Sequence, residues 1–415
     1  MKELTNVFAR DPHGFINEIF KPGVAGNNLI EGLLMLVNEV KNQQKIPDIF
    51  QFANITSFFK GKGNKFEMDN DKGVFGATIF RYIIDKLIYN QEYKNIDENL
   101  NDSNIGARKE RNIRHNLFVV YGIINLVMKG ELSETDIQLY DILNCFDKLW
   151  LEETLENFVL LYKLNQNNSI AVKTPYSLTE RFNVHNNIMQ GTVFGPLACT
   201  TSMSKLGDIV YKSGKPLIVY KDTVQVPTLG MKDDICIMSK CGIDSVIANS
   251  VTNSFIKSKK LDLGPKKCAQ IHIEKSKSKK HCIELKVDDK NMKKSKSEKY
   301  IGDILSETGK INDTTEERKR KGYRIVGDIM AILDEIPFGR HYIEAGLQMR
   351  NGMFINGILK NAEVWYSASD TLIEDLEEVD ELLLRKILNG HSKTPKEALY
   401  LETGVVPIRY IIKNS

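Results

Sequence analysis

The chain has 415 residues, of which 42% are hydrophobic and 27% are charged, and its formal net charge is +3. This composition is typical of a globular protein, and the length allows two or three domains with separate cores. No apolar run approaches the roughly 18–20 residues that span a bilayer, and the N-terminus lacks the apolar region of a signal peptide. We therefore expect a cytoplasmic or nuclear protein that is not secreted and does not associate with membranes.

The six cysteines are scattered, without a CxxC pair, and are expected to be free thiols in a reducing compartment. A zinc site made by Cys268, His272, His281 and Cys282 is an alternative. Their spacing matches no common structural zinc pattern, so the sequence does not favour it.

The N-terminal third is predicted to be mainly helical. Apolar side chains recur at helical spacing around Leu33, within a helical region that covers the first 45 residues. Pro47 is expected to end this helix. Three further patterns follow in chain order: an extended stretch over 50–60, a helix over 73–89 and a helix over 115–128.

The middle of the chain predicts a strand that ends at an acidic residue. Ile137 and Leu139 alternate as on a half-buried strand, which brings Asp141 to the strand's end. An amphipathic helix is predicted over 149–164. Pro196 suits the first turn of another helix.

A second acidic feature lies in the segment LGMKDDICIM. It predicts strand, turn and strand, with Asp233 and Asp234 at the turn. The pair Asp288 and Asp289 is interpreted as an ordinary exposed acidic turn. Beyond it, the pattern predicts a short strand over 299–304 and a C-terminal helix whose leucines share one face.

The carboxylates of Asp141, Asp233 and Asp234 suggest a metal site. Adjacent like charges are costly unless they are solvated or neutralised by a cation. Carboxylates from two strands can hold two Mg²⁺ ions, with Mn²⁺ as an alternative, about 3.5–4 Å apart. Such a pair clamps the attacking and leaving oxygens of a phosphoryl displacement.

Six segments occur in a characteristic order. They are FFKGKGNKFEMDNDKGVFG, YDILNCFD, MQGTVFGPLACT, GMKDDI, LDLGPKKC and EKYIGDIL. In this order they resemble the reverse-transcriptase domain of non-LTR (LINE-type) retrotransposon proteins, and the resemblance covers about 11–410. It implies an α/β (α+β) right-hand polymerase with fingers, an antiparallel-sheet palm and a helical thumb.

The resemblance also implies a domain division. Fingers would occupy 1–135, a palm with an interleaved fingers segment 136–310, and a helical thumb or C-terminal region 311–415. Such proteins commonly carry an endonuclease domain upstream. We therefore expect this chain to be a fragment of a longer polyprotein or a decayed copy.

The resemblance assigns residue roles. Metal binding and catalysis would fall to Asp141, Asp233 and Asp234. Contacts to the nucleotide would come from further residues, where cations offset phosphate charge and glycine allows close approach. These are Lys60, Lys62 and Lys72 at the triphosphate, Gln190 and Gly191 against a base, and Lys267, which would assist pyrophosphate departure.

The implied activity is RNA-directed DNA synthesis from an RNA template, a DNA primer and deoxynucleoside triphosphates. Phe146 favours DNA synthesis, because in this family an aromatic ring at that position blocks a ribose 2′-hydroxyl. Two alternatives stay open: a catalytically inactive nucleic-acid-binding remnant, and a relative of RNA-dependent RNA polymerases or maturases. The sequence makes no prediction of oligomeric state.

Two lysines depart from the family pattern. Lys232 precedes Asp233 where a small or apolar residue is expected, so it could compete with metal, and reversion to valine should then restore synthesis. Lys72 stands where arginine is usual, and lysine cannot make the same bidentate phosphate contact.

A lysine-rich segment covers 257–299, with fifteen lysines and six acidic residues. Two interpretations apply to it. It is either a solvated surface or a patch that follows a phosphate backbone through charge.

Overall fold

A computed structural model describes most of the chain. The described residues are 11–21, 24–59, 61, 63–64, 66–67, 70–150, 159–174, 176–185, 188–189, 191–213, 217–219, 224–226, 228–275, 283–365 and 368–413. Three predicted site residues, Lys60, Lys62 and Gln190, lie outside them, as do His281 and Cys282.

The strands fall mainly in two sheets and several hairpins. They are β1 (Phe52–Phe59), β2 (Asp71–Ala77), β3 (Glu134–Asp141), β4 (Asn168–Lys173), β5 (Phe182–Val184), β6 (Leu217–Val219), β7 (Val224–Val226), β8 (Leu229–Met231), β9 (Asp234–Ser239), β10 (Ala269–Glu274), β11 (Lys286–Val287), β12 (Lys290–Asn291), β13 (Lys293–Lys294), β14 (Ser297–Tyr300) and β15 (Asp303–Ser306).

Helices surround the sheets and dominate the C-terminal part. They are α1 (Asn27–Gln43), α2 (Ile79–Glu98), α3 (Ile113–Lys129), α4 (Cys145–Lys148), α5 (Val159–Asn165), α6 (Gly195–Lys212), α7 (Ile243–Ser258), α8 (Asn312–Leu333), α9 (Arg340–Met349), α10 (Asn356–Ile358), α11 (Asp370–Ile387), α12 (Lys396–Thr403) and α13 (Ile408–Lys413). A π-helical stretch, Arg350–Ile355, joins α9 to α10. Short 3₁₀ helices occupy Asn17–Phe20, Asp48–Gln51 and Ala362–Val364.

The central sheet has five strands in the order β13-β10-β3-β9-β8. Its pairings are antiparallel except between β10 and β13. β3 therefore lies in the middle, between β9 and β10. This agrees with the predicted mixed fold that contains an antiparallel sheet.

The prediction that β3 is half-buried was wrong, because both faces of this strand are covered. Ile137 and Leu139 pack in the core that also holds the C-terminal helices. On the opposite face, Gln138 and Tyr140 are also buried. Their polar groups have partners there: the Tyr140 hydroxyl lies 2.6 Å from Gln138 Oε1 and 2.9 Å from Asn249 Oδ1 on α7, and it donates its one proton to one of them. Such bonding removes the penalty that makes buried polar groups rare.

The N-terminal sheet has the order β2-β1-β4-β5. The predicted extended stretch over 50–60 is confirmed as β1 for Phe52–Phe59. The predicted helix over 73–89 is wrong in its first part, because Gly73 to Ala77 belong to β2. Backbone pairing with β1 overrides the apolar pattern of this short segment. The helix begins after Thr78, whose hydroxyl accepts a hydrogen bond from the Arg81 amide at 3.2 Å.

Most other predicted elements are confirmed. The helical region predicted over the first 45 residues is confirmed only for α1, which ends at Gln43 before Pro47, since the described residues between 11 and 26 form turns and a 3₁₀ helix. α3 covers the predicted helix over 115–128. Pro196 lies in the first turn of α6. The strand predicted over 299–304 is instead a hairpin, since β14 and β15 pair around Ile301 and Gly302. The helix predicted over 149–164 falls partly outside the described residues.

The C-terminal helices share one core with the central sheet. Leu376, Val379 and Leu383 of α11 are buried on one face, as the helical spacing predicted. They join a cluster that includes Ile137 of β3 and Ile271 of β10. Among the described residues, no helix combines the length and apolarity that crossing a bilayer requires.

Candidate active site

The predicted catalytic aspartates meet at one edge of the central sheet. Asp141, the last residue of β3, lies directly opposite Asp234, the first residue of β9. Asp233 occupies the turn that joins β8 to β9, because Met231 pairs with Asp234 across a two-residue connection. Cross-strand neighbours have Cβ atoms about 4.5–5.5 Å apart. The fold therefore brings together carboxylates that are 92 and 93 residues apart in the sequence.

The electrostatics of this edge reflect the crowding of negative charge. The pKa of Asp234 is raised to about 6, first because packed protein beneath the carboxylate weakens its hydration, and then because Asp233 and Asp141 lie nearby. Lys232 opposes this shift with its positive charge. The three oxygen-donor side chains fit a hard divalent cation such as Mg²⁺, whose charge would relieve the repulsion.

Lys232 occupies a special backbone position. Its φ is +62°, in the left-handed region that side chains rarely adopt. Asn104 holds this turn from a neighbouring loop: its carboxamide accepts from the Lys232 amide and donates to the Lys232 carbonyl, both at 3.3 Å. Gly106 packs so closely that a Cβ there would lie 2.5 Å from the Lys232 nitrogen. The backbone of Lys232 is thus fixed by Asn104 and Gly106, so a replacement at this position must fit the turn as well as change the charge.

The predicted Lys267 also reaches the aspartates. Its Nζ donates to Asp141 Oδ2 at 3.1 Å, while 64% of its side chain is exposed. The backbone is fixed there too, because the Gly264 amide donates to the Asp141 carbonyl at 2.9 Å. An exposed ion pair of this kind contributes only about 0–1 kcal/mol. A cation could therefore replace the lysine at little cost.

Phe146 follows β3 in the short helix α4. Its side chain is half-buried and packs against the core on the α6 and α7 side of the sheet. Its carbonyl accepts a hydrogen bond at 3.3 Å from the amide of Ile188, the residue just before the MQGTVFGPLACT segment. This position, five residues after Asp141, agrees with either core packing or contact with a nucleotide sugar.

Gly191 lies against the N-terminal sheet. Its φ is +106°, and an added Cβ would stand 2.9 Å from the Phe75 carbonyl oxygen of β2. Asp85 anchors the following residues, because its carboxylate accepts hydrogen bonds from the Val193 and Phe194 amides at 2.7 and 3.1 Å. The backbone conformation and the packing against Phe75 thus require glycine at 191, independently of the predicted contact with a base.

Lys72 is part of β2, where its backbone pairs with Phe58. It therefore belongs to the sheet on which Gly191 packs. Several lysines of the lysine-rich segment are in ion pairs, including Lys257 with Asp288 and Lys299 with Glu317. Asp288 and Asp289 form the turn of the β11–β12 hairpin, as interpreted from the sequence.

Sequence reasoning missed the residues that hold the site in place. Asn104 and Gly106 belong to an irregular segment rich in Asn, Ser and Gly, and Asp85 lies inside a helix. Turn composition was the only available signal for the first two. Nothing in the local pattern links Asp85 to a loop 108 residues away.

No protein-family model matches the chain, and no curated protein matches it in sequence. Similar solved structures are telomerases from two Candida species. Apo telomerase from Candida tropicalis has a TM-score of 0.47 and 10% identity, over 90% of this chain and 63% of that one. Telomerase from Candida albicans in complex with a TWJ fragment of telomeric RNA has a TM-score of 0.45 and 10% identity, over 91% and 68%.

A further match is apo telomerase from Candida tropicalis truncated from its C-terminal domain. Its TM-score is 0.40 at 11% identity, and the alignment covers 67% of this chain and 59% of that one. The chain thus spans between 59% and 68% of the lengths of these three telomerase chains. Because each TM-score is below 0.5, the likeness defines neither the family nor the function of this chain.

Proposed function

We propose that the chain is a template-directed nucleotidyltransferase, namely the RNA-directed DNA polymerase of a retrotransposon. The observation that carries this proposal is the cross-strand pair Asp141 and Asp234, with Asp233 in the adjoining turn. Three carboxylates at one sheet edge are the ligands expected for two-metal phosphoryl transfer. The retrotransposon class rests on the order of the six sequence segments.

The side chains have distinct roles in this proposal. Asp141, Asp233 and Asp234 would hold two Mg²⁺ ions, or Mn²⁺ in their place. Bound there, the ions supply activation of a primer 3′-hydroxyl and neutralisation of phosphate charge. Lys267, released from Asp141, would stand beside the triphosphate as a cation or proton donor for the departing pyrophosphate. Its 3.1 Å contact with Asp141 supports this placement.

Substrate contacts would come from both sheets. The MQGTVFGPLACT segment packs through Gly191 against β2, the strand whose backbone includes Lys72. Lys60, Lys62 and Gln190 are proposed to complete this surface. An RNA template, a DNA primer and deoxynucleoside triphosphates are the proposed partners.

Primer extension tests the proposal. The protein would be incubated with an RNA template, an annealed DNA primer, labelled deoxynucleotides and Mg²⁺. We expect synthesis by the natural chain and a loss of at least about 10³-fold in Asp234→Asn, because removal of one metal ligand disables electrostatic stabilisation of the transition state. Asp289→Asn is the matched control, an aspartate in another hairpin turn, and should keep full activity. Equal activity in all three proteins would refute the assignment.

Sugar selectivity tests the role of Phe146. Phe146→Ala should raise incorporation of ribonucleotides relative to deoxynucleotides, because the ring would no longer exclude the 2′-hydroxyl. An unchanged ratio, in a variant that is folded and still incorporates deoxynucleotides, would assign Phe146 to core packing alone.

A second candidate is a nucleic-acid-binding protein that has lost synthesis. The observation that favours it is the presence of two cations at the carboxylates, Lys232 in the turn and Lys267 on Asp141. This candidate predicts no extension product but retained binding of primer–template that weakens with salt. Salt-independent binding would exclude it.

A further inference from the structure

A second group of metal-binding side chains lies at the other end of β3. Glu134 and Asp136 come from the start of that strand, His272 from β10 and Cys241 from the residues after β9. β10 pairs with β3 so that Asp136 lies opposite His272 and Glu134 opposite Glu274. Asp136 and Asp141 are five positions apart along β3, a distance of about 17 Å at roughly 3.4 Å per residue. This group is therefore separate from the carboxylates at the opposite edge.

The donor atoms of the group are close together. Ligand atoms of Glu134, Cys241 and His272 all lie within 4.8 Å of one another. The His272 Nδ1 is 3.1 Å from the Cys241 Sγ and 2.9 Å from the Asp136 Oδ1. Bonds to zinc of about 2.0–2.3 Å place two ligands less than about 4.6 Å apart. Only small side-chain movements would be needed to enclose an ion.

Surrounding residues orient these donors. Asp136 is fully buried, and its Oδ2 accepts hydrogen bonds from Ser245 Oγ and from Gln270 Nε2, the latter at 3.2 Å. The other ring nitrogen of His272, Nε2, is buried without a hydrogen-bond partner and lies 3.7 Å from Glu274 Oε2. A histidine that binds metal through one nitrogen commonly directs the other toward a carboxylate. In the metal-free chain, the 2.9 Å contact with the Asp136 carboxylate favours a proton on Nδ1. For binding through Nδ1 this proton must move to Nε2, where Glu274 lies near enough to accept it after a small movement.

We propose that Cys241, His272 and Glu134, with Asp136 beside them, form a zinc-binding site at the base of the central sheet. A thiolate, an imidazole and carboxylate oxygens are a donor set that zinc accepts, whereas Mg²⁺ prefers oxygen ligands alone. Binding releases the thiol proton of Cys241 to solvent, and the ring proton of neutral His272 moves from Nδ1 to Nε2. This site differs from the set Cys268, His272, His281 and Cys282, since Cys268 is buried in the hydrophobic core.

Metal binding tests the site without any measurement of synthesis. The full chain, stripped of metal, would be dialysed against a small excess of Zn²⁺ in buffer that contains Mg²⁺, and bound zinc would be measured by mass spectrometry. We expect about one Zn²⁺ per chain. With Co²⁺ as the spectroscopic probe, the natural chain should show a thiolate-to-cobalt charge-transfer band. Cys241→Ser should abolish the band, and His272→Gln should weaken zinc binding by at least about tenfold.

Matched controls separate this site from other thiols and imidazoles. Cys236→Ala removes a thiol buried in β9, and His391→Gln removes an exposed imidazole; both should bind zinc as the natural chain does. Circular dichroism would establish that each variant is folded. If Cys241→Ser does not fold, Glu134→Gln is a second variant that removes a proposed zinc ligand. Bound zinc that is unaffected in the folded ligand variants, or no zinc above background in the natural chain, would overturn the proposal.

Discussion

The raised pKa of Asp234 links folding stability to pH and to divalent cations. The folded pKa is about 6, compared with an ordinary value of 3.8. As the pH rises from about 4 to 6, the unfolded chain therefore loses this proton before the folded chain does. The group lowers the free energy of unfolding above pH 6 and does so less below pH 4. A bound cation would reverse this penalty, because it favours the ionised carboxylate.

Asp234→Asn should therefore stabilise the metal-free protein at pH 7.5. We expect a gain on the order of 1 kcal/mol in the free energy of unfolding, less than the full pKa shift implies, because the side chain is exposed and solvent screens its charge. The gain should shrink at pH 4.5. Urea denaturation at both pH values, without divalent cations, measures it, and destabilisation at pH 7.5 would contradict the assigned electrostatics.

Replacement of Lys232 needs a residue that accepts its backbone. Valine is a poor choice, since β-branched residues are strongly disfavoured at positive φ. Lys232→Val should lower the free energy of unfolding by about 1–3 kcal/mol, whereas Lys232→Asn should fold normally, because asparagine tolerates the left-handed region. Thermal unfolding of both variants checks this difference.

The same two variants bear on synthesis. If the charge of Lys232 blocks metal binding, Lys232→Asn should increase primer extension. Lys232→Val also removes the charge, but its lower stability would reduce the amount of folded enzyme and hide the increase. A Lys232→Val variant more stable than Lys232→Asn would mean that Asn104 does not hold the turn in its observed conformation.

Elements differ in how much of their structure local sequence could predict. The predicted strand, turn and strand around the acidic pair is confirmed as the β8–β9 hairpin, but only Asp233 of the pair lies in the turn, because Asp234 is the first residue of β9. β3 was predicted to be half-buried from the alternation of Ile137 and Leu139, but Gln138 between them is buried as well. Its burial depends on Ser239 and Ser245, which lie about a hundred residues away. Partners of that kind cannot be inferred from alternation alone.

The contacts around both candidate sites show the same limit. Asp141, Asp233 and Asp234 were identified from their own strands and turn. Asn104 and Cys241 were missed, because their importance arises from strand pairing and loop packing between distant parts of the chain. Sequence therefore predicted the chemical groups of the carboxylate edge but not what positions them.

The loop at Gly191 and the strand β2 should respond together to mutation. Gly191→Ala combines a strained φ with a contact of 2.9 Å to the Phe75 carbonyl, so we expect a loss of about 1–3 kcal/mol in the free energy of unfolding. Gly327→Ala is the matched control. It lies in α8 with open space around it, and should stabilise by about 0.5–1 kcal/mol. Chemical denaturation measures both, and equal effects would contradict the observed packing.

Among the described residues, the largest core joins the central sheet to the C-terminal helices, and buried polar contacts hold the two together. Asp303 of β15 is fully buried. Its carboxylate accepts hydrogen bonds at 3.0–3.1 Å from Tyr121 on α3, Arg318 on α8, Asn361 and Trp365. The C-terminal helices are therefore expected to unfold together with the sheet.

Asp303→Asn tests this cooperativity. It leaves the guanidinium of Arg318 buried without its counter-charge, so we expect a loss of about 3–5 kcal/mol in the free energy of unfolding. Unfolding monitored by fluorescence and by circular dichroism should still give one coincident transition. Asp328→Asn, an exposed aspartate on α8, should change stability by less than about 0.5 kcal/mol. Two separated transitions in the natural chain would show independent units.

The pairing of Asp141 with Asp234 also restricts which changes in chain length the protein can accept. Side chains alternate between sheet faces, so deletion or insertion of one residue within β9 would turn Asp234 to the face where Ile235 is now buried. A conservative replacement in that strand changes one group, whereas a single codon gained or lost would separate the two carboxylates and expose an isoleucine. Variants of this protein should therefore tolerate length changes in surface loops far better than in this six-residue strand.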